Sequence, residues 1–61
     1  MSNLSEKELS LLNDSLTSEM LLVKKFQMLA EHSSDAEVQQ KFNEISMQHQ
    51  SHYNLLYSLL G

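Results

Sequence analysis

Sixty-one residues, 41% of them apolar, make one small domain at most, and a chain this short buries too little surface to be stable without a disulfide, a metal or a partner. There is no cysteine, which excludes disulfides and thiolate sites. The net charge is −4 with four lysines and no arginine, so the basic stripe that a nucleic-acid surface requires is missing.

No proline occurs and the single glycine is the last residue, so nothing inside the chain punctuates it as turns and strands would. The composition therefore predicts an all-α chain. At the N-terminus, Ser5-Glu6-Lys7-Glu8 has the form of a capping box, with Leu4 and Leu9 at the positions of a hydrophobic staple. No basic region followed by an apolar stretch precedes it, so no secretion signal is expected and the cytoplasm is the default location. A first helix is predicted over about 5–31. Its longest apolar run, residues 20–23, is far short of a membrane span.

The segment His32-Ser33-Ser34-Asp35 reads as a turn, and Ser34-Asp35-Ala36-Glu37 as a second capping box. It opens a second helix predicted over about 35–60. Residues 1–61 are thus expected to form a single antiparallel helical hairpin, each helix roughly 40 Å long at about 1.5 Å per residue. His32 is placed at the end of the first helix, where it can meet the final carbonyls.

Apolar residues recur in alternating steps of three and four. Leu9, Leu12, Leu16, Glu19, Val23, Phe26 and Ala30 form one such row; Val38, Phe42, Ile45, His49, His52, Leu56 and Leu59 form the other. Folding the rows together about the turn pairs Ala30 with Val38, Phe26 with Phe42, Val23 with Ile45 and Glu19 with His49. Leu16 then faces His52, Leu12 faces Leu56, Leu9 faces Leu59, and Lys24 meets Glu44 as a rim ion pair. Met20, Leu22, Leu29, Tyr53, Leu55 and Leu60 flank these rows. Two helices cannot cover so wide an apolar face, which predicts a homo-oligomer: a dimer closing a four-helix bundle, or something larger. Leu11, Leu21, Met28 and Met47 still point outward, either as a further contact surface or as ordinary exposed apolar residues.

Three seam positions are ionisable, and all fall at mid-length. Glu19 needs a partner if it is buried. His49 faces it, and His52 is on the same side of its helix. Three readings stay open, one of them an exposed layer with no role. A Glu–His network can fix helix register, and one carboxylate with two imidazoles is a donor set that takes zinc, iron or manganese. Tyr53 is placed either to hydrogen-bond this layer or simply to line the bundle. Nothing resembles a nucleophilic triad or a phosphate loop, so a conventional hydrolase is not expected, and enzymatic activity of another kind stays open.

The stretches EKELSLLNDSLTSEMLLVKKFQMLA and EVQQKFNEISMQHQSHYNLLYSLL, which span nearly the whole chain, resemble the small ferritin-like spore coat proteins of the coat F type. Glu19 with the Leu-Leu-x-Lys-x-Phe-like run after it, and QHQSHYNLL near the C-terminus, carry most of the likeness. It implies a ferritin-like four-helix bundle, a place in the layered spore coat and contacts with other coat proteins. The ferritin pattern of a glutamate on one helix and Glu-x-x-His on its partner is met by Glu19 alone, because Ser46 and His49 stand where the second glutamate would be. The leading expectation is a structural or interaction module. The alternative is a ferritin-like metal-binding protein using Glu19, His49 and His52. Ser10 and Asp14 also have the Ser-x-x-x-Asp spacing of sporulation-regulator hairpins, but their surroundings do not match.

Overall fold

A computed structural model describes residues 3–61 as two helices, α1 (Glu6–His32) and α2 (Ala36–Ser58), packed against each other. No strand occurs among the described residues, and none of their helices is long and apolar enough to cross a membrane.

The start of α1 is the capping box that its sequence spells. The Glu8 backbone N–H donates to the Ser5 hydroxyl at 3.1 Å, and the Ser5 N–H donates to the Glu8 carboxylate at 2.9 Å. These bonds hold the Glu8 carboxyl below the ordinary carboxylate range, the Ser5 backbone N–H contributing most. The second helix departs from expectation by one residue. Its cap is Asp35 rather than Ser34, and one Asp35 carboxylate oxygen accepts from Glu37 N at 2.9 Å and Val38 N at 3.1 Å. A carboxylate takes both donors and adds its charge to the positive helix end, which a serine hydroxyl cannot match. Ser33 closes the turn, its hydroxyl accepting from Asp35 N at 3.4 Å. At the other end α2 stops at Ser58, and Leu59 and Leu60 tighten into bonds three residues back, to Leu56 and Tyr57.

The inner faces of the two helices differ from the symmetric seam that their spacing predicts. On α1 the buried apolar residues are Leu12, Leu16, Val23 and Ala30, all from the expected row. On α2 the one buried residue is Ser46, while Val38 and Leu59 are 42% and 48% exposed. The contact face of α2 is shifted by about half a residue, roughly 50° of arc, so that the row Gln39–Ser46–Tyr53 turns inward in place of Val38–Ile45–His52 while Phe42 and His49 keep their expected partners. Ser46 donates its hydroxyl to the Val23 carbonyl at 3.2 Å, where Ile45 was expected to meet Val23. Gln39 Nε2 donates to the Ala30 carbonyl at 2.9 Å, where Val38 was expected. A serine lets the backbones come close, and that approach brings a carbonyl within reach of its hydroxyl.

This rotation has two further effects. Glu44, two residues before Ser46, is carried about 200° from the contact, and among the described residues it makes no ion pair with Lys24. Val38, Ile45, His52 and Leu59, spaced by seven, now border one open side of the hairpin. Because His52 still reaches Glu19, this is the side of α1 that carries Phe26, Leu22 and Leu29.

Candidate functional site

The mid-length layer forms on that open side. Glu19 is half-buried on α1, and its Oε1 is 2.7 Å from His49 Nδ1. An ionised carboxylate can only accept, so Nδ1 carries the proton in this bond. His52, one turn along α2, places its Nδ1 3.6 Å from the same oxygen. That is too long for a hydrogen bond. Phe26 stacks on His49 at a centroid distance of 5.8 Å, and the two imidazoles meet edge to face at 5.6 Å. Phe26 also packs on Phe42 at 6.0 Å, the pairing its register predicts. Helix packing, stacking and a charge-assisted hydrogen bond therefore fix Glu19 and His49, while His52 stands at the rim with 59% of its side chain exposed.

Glu19, His49 and His52 are thus brought together, each offering one donor atom, and these atoms lie within 4.8 Å of one another. Glu19 makes no contact with a lysine among the described residues. His32 is the last residue of α1 but is not bonded to the final carbonyls among the described residues. It lines a shallow outer groove with Leu21, Lys24, Lys25, Met28 and Leu29. Tyr53 stacks on Tyr57 at 6.0 Å instead of hydrogen-bonding the Glu–His layer. The inter-helix donors Gln39 and Ser46 were not anticipated. Their signal was present as a spacing of seven shared with Tyr53, beside the apolar row of α2, but an all-apolar criterion passes over it.

Fold and site together define an all-helical hairpin with a Glu/His layer at mid-length. No protein-family model, curated protein or solved structure matches the chain.

Proposed function

We propose that this chain is a structural interaction module whose working form is a homodimeric four-helix bundle, closed by the open sides of two hairpins. One observation carries the reading: the apolar row of α2 is only partly spent on α1. Val38, Ile45, Leu56 and Leu59 lie beside Phe26, Leu22 and Leu29 on a single side of the molecule, interrupted only by the Glu19–His49–His52 layer. The opposite side mixes Asn13, Gln27, Asn43, Gln50 and Asn54 with a smaller apolar groove lined by Leu16, Thr17, Met20, Leu21 and Tyr53. The exposed area points the same way. The hairpin exposes 4753 Å², against about 4,000 Å² expected for a compact protein of its mass. A second copy is the simplest cover, because a two-fold axis uses the same patch twice and leaves no open end.

In this bundle the Glu19–His49 pair acts as a register layer within an apolar interface. Leu21 and Met28 on the outer face of α1 then serve as lateral contacts between dimers. The likeness of the helical text to coat F type proteins suggests a layered protein shell such as the spore coat as the setting, with other coat proteins as neighbours.

Sedimentation equilibrium at micromolar concentration tests the dimer. The expected mass is twice the 7.0 kDa of the chain. Ile45→Asp should weaken association by about 2–4 kcal/mol, the scale of an interface hot spot. A folded monomer under these conditions overturns the reading.

A further inference from the structure

A register layer needs one acceptor and one donor, and Glu19 with His49 supplies both. His52 is surplus to that need. It donates no hydrogen bond among the described residues, it is largely exposed, and yet its Nδ1 is aimed at the oxygen that His49 already occupies, 3.6 Å away. Two imidazoles from consecutive turns of one rigid helix therefore converge on one carboxylate of its neighbour. No ammonium or guanidinium group neutralises that carboxylate among the described residues.

From this geometry we infer that Glu19, His49 and His52 form a binding site for a divalent transition-metal ion of the zinc class, one ion per chain. The donor set is the two-imidazole, one-carboxylate set found where zinc keeps a fourth position open. A tetrahedral ion with donors at about 2.0–2.2 Å holds them roughly 3.3–3.6 Å apart. The Glu19–His52 distance already meets that spacing, and the Glu19–His49 pair, at 2.7 Å, has to open by less than an ångström. To bind through Nδ1, His49 gives up the proton it now donates to Glu19, either to its own Nε2 or to water. Phe26, stacked on the His49 ring, holds the imidazole plane against α1 while this happens. The fourth position faces the open side of the hairpin, where water fills it. All three protein donors belong to one hairpin, so the ligand set is complete without a partner, while the fourth position faces the side that the proposed dimer covers.

Cobalt(II) is the probe, because a tetrahedral cobalt ion has strong visible ligand-field bands whereas the hydrated ion is pale. Titrating the full chain at pH 7.5 should give these bands, saturating at one equivalent per chain, and zinc should abolish them by displacement. His52→Ala should weaken cobalt binding by at least tenfold, the scale lost on altering even an outer partner of a metal ligand. Its far-UV circular dichroism should stay that of the wild type, since His52 makes no hydrogen bond among the described residues of the hairpin. His32→Ala should bind as the wild type does. Absence of the bands in the folded wild-type chain overturns the inference. So does their persistence in His52→Ala, or their loss in His32→Ala. Sedimentation of the same samples reads the dimer separately, so failure of the metal site and failure of the dimer are distinguishable.

Discussion

Helix α1 meets its neighbour with leucine, valine and alanine, whereas α2 answers with a serine, a glutamine and a histidine. The contrast lies on the link between packing and function. Both helices carry an apolar row at helical spacing, but within the hairpin the row of α1 is largely buried while that of α2 is used only in part, through Phe42 and His49. The rest of it, Val38, Ile45, His52 and Leu59, borders the open side. Hydrophobic periodicity thus identifies a face without saying what covers it. A small hydroxyl residue beside that face, able to bring two backbones close and to bond a carbonyl, can take its place in the contact.

The strongest way to break this comparison is at its apolar half. Leu16→Asp places an unpaired charge where α1 is buried, which should cost on the order of 4 kcal/mol or more and abolish helical circular dichroism at 25 °C. A well-folded variant would show that the inner face of α1 is not the core. The polar half should respond more mildly. Ser46→Leu forces the helices apart and should cost about 1–3 kcal/mol by chemical denaturation. A stabilised variant would show that the expected seam through Ile45 is available after all, and that the close approach at Ser46 has no consequence.

The smallest effect lies outside the contact, at the capping box of α1. Ser5→Ala should cost about 1 kcal/mol at neutral pH. The other half of the box, the Ser5 backbone N–H donating to the Glu8 carboxylate, is the pH-dependent one. The folded Glu8 carboxyl is held below the ordinary range by the Ser5 bonds, so the stabilisation is present above that range and lost as pH falls through the depressed value. Melting temperatures of the wild type and a Glu8→Ala variant should therefore converge as pH falls below the depressed value. A difference that stays constant in acid would show that the Glu8 half of the box contributes nothing.

Much of the architecture could be read from the chain itself. Local signals with a single physical meaning were legible: the capping box at Ser5, the turn at residues 32–35, and two long periodic segments free of glycine and proline. So was the meeting of Glu19 with His49 and of Phe26 with Phe42, because two helices joined by a short turn have one axial register. Rotation about the helix axis was not legible. It depends on which side chains let the backbones approach, and Ser46 and Gln39 decide that through contacts more than twenty and nearly ten residues away in the chain. The Asp35 cap was missed by one residue because Ser34 and Asp35 are both good caps, and only the turn made by Ser33 chooses between them.

Glu19 sits midway between Ser5 and Ser33, the two caps of α1. When two hairpins pair about a two-fold axis, a layer at that height faces its own copy whether the hairpins run in the same direction or in opposite ones. Sliding one hairpin by a turn would seat the Glu19–His49 pair against leucine or phenylalanine and take its outward side out of water. Turning one hairpin end for end changes nothing for it. The Glu–His layer can therefore act as a stop against slippage but not as an arrow. Direction has to be written at the tips, where the molecule is unlike itself: Ala30, Ser33 and Ser34 make a narrow tip at the turn, and Leu4, Leu59 and Leu60 make a broad one at the other end.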